Sequence, residues 1–571
     1  MSKEQAELRR WLEEVTDPEL SAELLSIRNE EKEVHERFYR SLEFGTGGLR
    51  GELGAGTNRM NIYTVRQATQ GFAAYLLTQD EKPSAAISYD SRHQSDVFAR
   101  ETARVLAANG IKVYLYPHLM PTPALSFAVL DRHCTGGVMV TASHNPARYN
   151  GYKAYAADGA QISGHVAAAV SEEIEKTDIF RDVKLADFEE ALADGRIEYI
   201  GDALIERYYA AVMAQALRPE LGKAAGLRLV YTPLNGSGLV PVMTVLKRMG
   251  HTDITVVPEQ EQPNGDFPTC PYPNPEILEA MQLGLNLCEK LGADLLLATD
   301  PDSDRVGTAV LQNGTPRLIS GNEMGVLLLD YICRTRLELH KMPENPVAVR
   351  SIVSTTMTDA IAAHYGVEMR QVLTGFKYIG EQIAHLEAEG HPERFIFGFE
   401  ESYGYLAGGY VRDKDAVVAS MLICEMAAFY RTKGISLIEA RKRMYDEYGV
   451  YFNKLDTFTC EGESGMERMS EIMSDLRTNT PKTIGGLTVT RFEDYLASTS
   501  VDTATGAKTM LTLPKSDVLT FKLTDGASVI IRPSGTEPKI KAYYTTTGTT
   551  KAEAAALEKT ISDDFAKILG F

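Results

Sequence analysis

The chain has 571 residues, of which 44% are hydrophobic and 24% charged, and its formal net charge is −19 at pH 7. This composition is typical of a globular protein with about three to five domains. The acidic balance argues against a nucleic-acid partner or an anionic membrane surface. Six scattered cysteines without a C-x-x-C pair favour buried thiols, and no apolar run resembles a signal peptide or a membrane span. We therefore expect a cytoplasmic protein.

Apolar spacing predicts alternating helices and strands after an N-terminal segment of one or two amphipathic helices. The glycine-dense stretch EFGTGGLRGELGAGTNRMN that follows is expected to be irregular. Short, continuous apolar strands between helices indicate a mostly parallel sheet that is covered on both faces. The elements predicted first are helices over 62–79 and 95–109 and strands over 85–90, 111–116 and 136–142.

The alternation of helices and strands continues along the chain until the C-terminal part, where the composition changes. Further α/β segments begin near residues 203 and 320, and the Thr-rich C-terminal part contains a strand, loop and strand in SVIIRPSGTEPKIKAYY. The predicted fold is α/β: three mixed-sheet α/β domains plus a C-terminal α+β domain, arranged around a central cleft. The predicted domains are 1–203, 204–319, 320–443 and 444–571, with a hinge near 440–450.

The first loop of chemical interest is TASHNPARYNGYKAY. Ser143 follows the strand VMVTA, next to His144 and ten residues before Lys153. A serine exposed at a strand end can act as a nucleophile or carry a phosphoryl group, and it can equally cap a turn. An acyl hydrolase is disfavoured, because G-x-S-x-G is absent and His144 would need a special bend to act as the base.

The second loop, ATDPDSDRVG, follows the strand ADLLLA. Asp300, Asp302 and Asp304 alternate, so in extended backbone their carboxylates would share one side and could meet one hard cation. Arg305 and Leu311 occupy the positions where an EF-hand needs glycine and glutamate, so that reading fails. The spacing favours Mg²⁺, and the alternative is a solvated acidic turn.

The third loop is GFEESYGY, in which Glu400 and Glu401 precede Ser402. Carboxylates beside a hydroxyl suit the binding of vicinal sugar hydroxyls, although a pair of glutamates also occurs in solvated turns. Arg50, in the glycine-rich GTGGLRG, is either a cation for the ligand or part of a structural salt bridge.

The fourth loop is RPSGTEPK. Arg532, Ser534, Gly535 and Thr536 combine a guanidinium, two hydroxyls and a glycine that permits a backbone nest. These groups suit a phosphate dianion, and the alternative is a simple hairpin turn.

Together the four loops resemble, in order, those of the α-D-phosphohexomutase superfamily. TASHNP is similar to its phosphoserine loop, DPDSDR to its metal loop, GFEESYG to its sugar-binding loop and RPSGTEPK to its phosphate-binding loop. The forms GFEESYG, EFGTGGLRG and TGFKYIG further resemble a bacterial phosphoglucomutase branch, which has relatives acting on phosphopentoses.

The resemblance implies an isomerase that moves a phosphoryl group within glucose phosphates through a phosphoserine and glucose 1,6-bisphosphate, which also serves as activator. It implies Mg²⁺, small sugar-phosphate ligands, a monomer or weak homodimer, a C-terminal lid, and a lysine base with a depressed pKa, either Lys153 or Lys377. The implied site residues are Ser143, Lys153, Arg50, Arg305, Lys377 and His144 for catalysis; Thr374, Gly375, Glu400, Ser402, Arg532, Ser534, Gly535 and Thr536 for substrate; and Ser143, Asp300, Asp302 and Asp304 for the metal.

Two positions depart from the family pattern. Asn235 stands where relatives often have histidine, which either preserves a packing hydrogen bond or alters specificity, and Ser303 replaces a common alanine and should point away from the cation. The alternative functions are phosphomannomutase or phosphopentomutase, glucose 1,6-bisphosphate synthase, and a non-catalytic sugar-phosphate-binding protein.

Overall fold

The computed structural model describes residues 2–45, 47–460, 465–534 and 538–571. The chain forms two compact units. The first unit comprises Met1–Gly321 and Ile379–Gly434, and the second comprises Asn322–Tyr378 and Ile435–Phe571. Among the described residues, no helix combines the length and the apolar character needed to cross a bilayer.

The N-terminal segment contains three helices, where one or two were expected. Asp17 caps the N-terminus of the second helix by accepting hydrogen bonds from the backbone N–H groups of Glu19 and Leu20, and Pro18 opens that helix. Trp11 is fully buried between these helices and the domain that follows. The helices are α1 (Lys3–Glu14), α2 (Pro18–Ile27) and α3 (Glu31–Phe38).

The next part is a six-stranded mixed sheet with the strand order β1-β5-β4-β2-β3-β6. Strands β4, β2, β3 and β6 run parallel, whereas β5 and β1 are antiparallel to their neighbours. All five predicted elements are present, to within two residues at each end. The elements are β1 (Gly48–Glu52), α4 (Ile62–Gln79), β2 (Ser84–Tyr89), α5 (Ser95–Ala108), β3 (Lys112–Leu115), α6 (Thr122–Asp131), β4 (Gly136–Val140), β5 (Tyr149–Ala156), α7 (Gly164–Lys176), α8 (Phe188–Ala193) and β6 (Ile197–Tyr199).

The glycine-dense stretch is not irregular throughout, because it contains β1. A Cβ atom on Gly48 would lie 1.8 Å from the carbonyl oxygen of Tyr152, and φ of Gly48 is +155°. The glycine therefore permits a close approach of β1 to β5, which a glycine count alone does not reveal. This pairing places Arg50 opposite Gly151.

We predict that Gly48→Ala lowers the free energy of unfolding by about 3 kcal/mol, because the new methyl group overlaps backbone that cannot move aside. The matched control is Gly110→Ala, at a glycine that also has a positive φ (+78°) but where the added Cβ would meet no atom of the described residues within 4 Å. It should cost about 1 kcal/mol from backbone strain alone. Urea unfolding followed by circular dichroism measures both, and equal losses would contradict the close approach.

The second α/β part has a five-stranded sheet in the order β11-β10-β9-β7-β8. Strands β8, β7 and β9 are parallel, and β10 and β11 form an antiparallel extension. The fully buried β9 ends directly before Asp300. The elements are α9 (Asp202–Met213), α10 (Leu221–Ala225), β7 (Arg228–Thr232), α11 (Leu239–Arg248), β8 (Asp253–Val256), α12 (Pro258–Glu261), α13 (Leu278–Leu291), β9 (Leu295–Thr299), β10 (Val306–Gln312) and β11 (Thr315–Ile319).

The third part contributes to both units. In the second unit β12 and β13 pair in parallel, and in the first unit β14 and β15 form an antiparallel hairpin that begins its turn after Glu400. Helix α17 packs against α10 and α11 within the first unit. The elements are α14 (Gly321–Glu338), β12 (Val347–Ser351), α15 (Met357–Tyr365), β13 (Glu368–Val372), α16 (Phe376–Ala388), β14 (Phe395–Glu400), β15 (Gly404–Leu406) and α17 (Ala416–Thr432).

The C-terminal part confirms the predicted α+β class. An antiparallel sheet in the order β16-β23-β22-β21-β18-β19-β20, with β17 paired to β18, packs its apolar side chains against α19 and α20. Gly449, with φ +92°, joins α18 to β16 inside the predicted hinge, and both the hinge and the four domain boundaries stay predictions. The elements are α18 (Leu437–Tyr448), β16 (Val450–Thr459), α19 (Gly465–Thr478), β17 (Thr483–Ile484), β18 (Leu487–Asp494), β19 (Thr499–Asp502), β20 (Lys508–Met510), β21 (Leu519–Leu523), β22 (Ser528–Pro533), β23 (Lys539–Gly548) and α20 (Lys551–Ile568).

Candidate active site

Ser143 lies in the loop after β4, and its side chain faces the aspartates that follow β9. Its Oγ donates to Asp300 Oδ2 at 3.1 Å, and its backbone N–H donates to Thr141 Oγ1 at 2.8 Å. The backbone of Ser143 is left-handed, with φ +53°, which costs a non-glycine residue about 1–3 kcal/mol. The residue is only 4% exposed. The fold thus holds this serine in a strained conformation beside a carboxylate.

His144 is closer to the serine than the sequence suggested. The left-handed turn at Ser143 supplies the special bend, and His144 Nδ1 lies 3.2 Å from Ser143 Oγ. Burial, together with the charges of Arg305 and Arg50, lowers the pKa of His144 well below its usual value. The imidazole is therefore neutral at neutral pH and adds no charge beside the hydroxyl.

The three aspartates converge, but extended backbone is not the reason. Ser303 is left-handed, with φ +51°, and the backbone N–H groups of Asp304 and Arg305 both donate to Asp300 Oδ1, at 3.1 and 3.0 Å. This tight turn brings one carboxylate oxygen from each aspartate within 4.8 Å of the others. The turn, rather than strand alternation, builds the cluster.

This cluster fits a divalent cation. Asp302 Oδ1 and Asp304 Oδ1 are buried and have no hydrogen-bond partner among the described residues. Burial, reinforced by Asp302 and Asp304, raises the pKa of Asp300 well above its usual value. Clustered buried carboxylates repel one another unless a cation joins them, and hard cations such as Mg²⁺ prefer oxygen ligands.

Two lysines face these carboxylates. Lys153 Nζ lies 2.8 Å from Asp302 Oδ2 and 3.7 Å from Asp304 Oδ2, and Lys414 Nζ lies 3.0 Å from Asp304 Oδ2 and 3.1 Å from Asp413 Oδ1. The depressed pKa expected for Lys153 is wrong for this arrangement. Although burial opposes the charge and Lys414 repels it, Asp302 and Asp304 raise the pKa of Lys153, because the anions around this lysine outweigh the cation. The sequence analysis did not identify Lys414 as a site residue. The one feature of the sequence that marks it is the charge-dense segment RDKD directly before α17.

Cations and a glutamate complete the site in the first unit. Arg305 Nη1 donates to Glu276 Oε1 at 2.5 Å, and Arg50 Nη1 donates to Asn145 Oδ1 at 3.4 Å. Glu400, at the end of β14, is 5% exposed. Burial opposes the charge of Lys414, but Asp304, Asp413 and Glu400 raise its pKa. Glu400 therefore acts electrostatically on the same cluster, and Ser402 lies in the turn that follows it.

The remaining predicted residues belong to the second unit. Thr374 and Gly375 lie between β13 and α16, and φ of Gly375 is +124°. Lys377 Nζ lies 5.2 Å from the centroid of the Tyr378 ring.

The predicted phosphate loop lies partly within the described chain. Arg532 is in β22, opposite Lys541 of β23, and Ser534 donates its backbone N–H to Lys539 O at 2.7 Å. Gly535 and Thr536 lie outside the described residues.

Asn235 and Ser303, the two residues that depart from the family pattern, both make contacts within the fold. Asn235 is left-handed, with φ +57°, a conformation that asparagine tolerates well, and its Nδ2 donates to Gln262 O at 2.8 Å. It therefore holds a neighbouring loop of its own α/β part. Ser303 Oγ packs near Gly238, at 2.6 Å from the position that a Cβ would take there.

Thr122 is a second residue that the sequence did not reveal. At the start of α6, its Oγ1 donates to Asp302 Oδ2 at 2.8 Å and its N–H donates to Asp302 O at 2.9 Å. Partners that orient a metal ligand contribute about 10–100-fold to metal affinity. No short sequence pattern links positions 180 residues apart.

We predict that Thr122→Val raises the Mg²⁺ concentration for half-maximal activity about tenfold, because Asp302 loses its orienting donor while the side-chain volume is kept. The control is Thr102→Val, which changes a buried threonine of α5 whose hydroxyl has no hydrogen-bond partner in the described part of the chain. Metal titrations of activity and calorimetric Mg²⁺ binding measure the effect. If the two variants gave identical Mg²⁺ titrations, Thr122 would not contribute to metal binding by the aspartate cluster.

Comparison with known proteins identifies the family. Models described as phosphoglucomutase/phosphomannomutase α/β/α domains I, II and III and the C-terminal domain match residues 41–180, 206–314, 320–448 and 479–563. The chain belongs to the phosphoglucomutase/phosphomannomutase family. Members of this family are phosphohexomutases, which are isomerases.

Individual phosphohexomutase relatives cover nearly the whole chain. A phosphoglucomutase of Staphylococcus epidermidis is 36% identical over 93% of this chain and 95% of its own length, and one of Staphylococcus saprophyticus is 34% identical over 94% and 95%. Among solved structures, Paramecium parafusin, a phosphoglucomutase, has a TM-score of 0.69 at 17% identity, covering 93% of this chain and 96% of its own. A phosphoglucomutase/phosphomannomutase family protein of Burkholderia thailandensis has a TM-score of 0.63 at 18% identity, covering 92% and 96%. Both solved structures therefore have the same fold as this chain.

Proposed function

We propose that this protein is a phosphoglucomutase, which interconverts α-D-glucose 1-phosphate and glucose 6-phosphate through a phosphoserine and a glucose 1,6-bisphosphate intermediate. The observation that carries the proposal is the contact of Ser143 Oγ with Asp300 Oδ2 at 3.1 Å, at the edge of a buried aspartate cluster. A hydroxyl that is to carry a phosphoryl group needs adjacent cations to balance the added charge. The Staphylococcus relatives named phosphoglucomutase support glucose phosphates as the substrates.

In the proposed reaction, the P–Oγ bond of phosphorylated Ser143 breaks as a hydroxyl oxygen of the sugar phosphate forms a new bond to phosphorus. The hydroxyl proton leaves to a basic side chain. In the second transfer Ser143 Oγ bonds to the other phosphorus of the bisphosphate as the P–O bond from that phosphorus to the sugar breaks, and the freed sugar oxygen takes up the proton. Arg50 and Arg305 are the cations proposed to stabilise the group in transfer. A divalent cation such as Mg²⁺, held by Ser143, Asp300, Asp302 and Asp304, would supply further charge neutralisation when bound.

The proton acceptor is proposed to be a lysine. Lys377 in the second unit is the candidate acceptor, and Lys153 and Lys414, whose pKa values the adjacent carboxylates raise, are proposed instead to act as cations beside the aspartates. Neutral His144 beside Ser143 is proposed to hold the unphosphorylated hydroxyl and not to act as a base, because burial and nearby cations disfavour its protonation.

Substrate recognition is proposed for eight residues. Glu400 and Ser402, with Thr374 and Gly375, would bind the sugar hydroxyls, and the loop of Arg532, Ser534, Gly535 and Thr536 would bind the phosphate that is not reacting. Glucose 1,6-bisphosphate is the proposed activator, and a monomer or weak homodimer the proposed assembly. A cytoplasmic location is supported by the six cysteines, all of which are buried free thiols.

The deciding experiment compares initial rates on α-glucose 1-phosphate, α-mannose 1-phosphate and ribose 1-phosphate, each with Mg²⁺ and catalytic bisphosphate. The expected result is a kcat/KM for glucose 1-phosphate at least about tenfold above the other two. A preference for mannose or ribose phosphate would make the protein a phosphomannomutase or phosphopentomutase. An enzyme phosphorylated at Ser143 that turns over none of them would overturn the mutase proposal and favour a synthase with an external phosphoryl donor.

A further inference from the structure

A buried arginine, Arg92, lies under the loop that carries Ser143. Its side chain has no exposed surface, and its guanidinium donates to four backbone carbonyls of this loop. Nη1 donates to Pro146 O at 2.9 Å and to Tyr149 O at 3.0 Å. Nη2 donates to Ser143 O at 2.6 Å and also to Asn145 O. Both terminal nitrogens of Arg92 therefore stabilise the conformation of this one loop.

Asp90 ties Arg92 to the other side of Ser143. Asp90 is 2% exposed, and its Oδ2 lies 3.4 Å from Arg92 Nε and accepts a hydrogen bond from Thr141 Oγ1 at 2.6 Å. The same Thr141 oxygen accepts from the backbone N–H of Ser143 at 2.8 Å. Ser143 is thus held at its N–H through Thr141 and at its carbonyl by Arg92.

Arg92 also contacts the segment between α12 and α13, in the second α/β part. Its guanidinium carbon lies 5.0 Å from the centroid of the Phe267 ring, a cation–π distance. That α/β part also carries Asp300, whose Oδ2 accepts from Ser143 Oγ. The Arg92 guanidinium therefore contacts the loop of Ser143 in the first α/β part and Phe267 in the second α/β part, which also carries Asp300.

We propose that Arg92 is a positioning residue for phosphoryl transfer at Ser143. It holds Ser143 in the left-handed conformation in which Oγ faces the aspartate cluster, and this role rests on the proposed mutase function. A planar guanidinium is needed, because the single nitrogen of lysine has three donors and cannot reach four carbonyls. Arg92 contacts no reacting atom, so its loss should act on kcat and leave KM nearly unchanged.

The experiment compares Arg92→Lys with the wild-type enzyme and with a matched control, Arg104→Lys. Arg104 also pairs a carboxylate, Glu101, and donates to a backbone carbonyl, that of Ala186, but it holds no part of the Ser143 loop. For Arg92→Lys we expect kcat to fall about 100-fold, the effect of a small misplacement of a reacting group. We expect KM for glucose 1-phosphate to stay within about threefold. Amide hydrogen exchange should accelerate at residues 143–149, while Arg104→Lys leaves kcat and this exchange unchanged.

A second variant, Thr141→Val, tests the same role if Arg92→Lys does not fold. It keeps the side-chain volume, removes the hydroxyl between Asp90 and the N–H of Ser143, and should lower kcat at least about tenfold. The proposal is overturned if kcat is unchanged in either folded variant, or if activity falls only in proportion to the unfolded fraction. A wild-type enzyme without turnover would instead overturn the proposed function. In that case amide hydrogen exchange would still test the positioning role of Arg92. If the exchange at residues 143–149 were the same in Arg92→Lys and in the wild-type protein, that role would be overturned.

Discussion

Ser143→Ala abolishes mutase turnover, with an expected fall in kcat of at least about 10⁴-fold, the scale seen when a covalent nucleophile is removed. Without Oγ, residue 143 has no atom to carry the phosphoryl group between the two sugar positions. The fold should survive, because the change removes only the contacts of Oγ with Asp300 and His144, each worth about 1 kcal/mol. Coupled initial-rate assays measure turnover, and circular dichroism checks the fold.

The matched control for this loss is Ser420→Ala. Ser420 is fully buried in α17, and its hydroxyl has no partner among the described residues. Its removal should leave kcat within about twofold of the wild type, since it lies outside the proposed machinery. If Ser143→Ala kept as much activity as Ser420→Ala, the phosphoserine mechanism would be wrong.

Asp302→Asn is expected to raise the half-saturating Mg²⁺ concentration more than about tenfold and to lower kcat about 100-fold. The change removes one negative charge from the cluster and leaves the Lys153 ammonium facing a neutral amide at 2.8 Å. Both effects weaken the attraction of the site for a cation. Calorimetric titration of Mg²⁺ follows binding without relying on activity.

The control is Asp253→Asn at the start of β8, in the same sheet as the strand before Asp302. Asp253 is exposed and pairs with Arg228 at 3.2 Å, an ion pair expected to contribute at most about 1 kcal/mol. Its replacement should change neither Mg²⁺ binding nor kcat. An unaltered metal titration for Asp302→Asn would exclude Asp302 as a ligand.

Sequence reasoning succeeded where function depends on residue types in short segments. The buried strands β4 and β9 were recognisable as apolar runs, and the polar residues that follow them marked Ser143 and the three aspartates as candidates. Ligands meet the ends of such strands in open α/β sheets, so local pattern and general topology sufficed. The α/β class and the α+β class of the C-terminal part were predicted on this basis, whereas the family was predicted from the resemblance of the four loops to those of a known superfamily.

Sequence reasoning failed where backbone conformation departs from the regular element. The tight turn at Ser303, the bend at Ser143 and the strand in the glycine-rich segment all depend on individual dihedral angles that apolar periodicity does not report. For the same reason the sequence could not show that His144 reaches the serine, or that Lys153 faces carboxylates.

The sequence by itself therefore determined the secondary structure around the site and the set of side chains capable of phosphoryl transfer, because these depend on local patterns of a few residues. Only the tertiary structure decided which of them meet. Ser143 and Asp300 are 157 residues apart. Around them, Arg92 contacts Ser143, Thr122 contacts Asp302 and Lys414 contacts Asp304, each from a different part of the chain. Such contacts arise when the two sheets pack and bury polar groups that must then find partners, and no short-range pattern encodes that pairing.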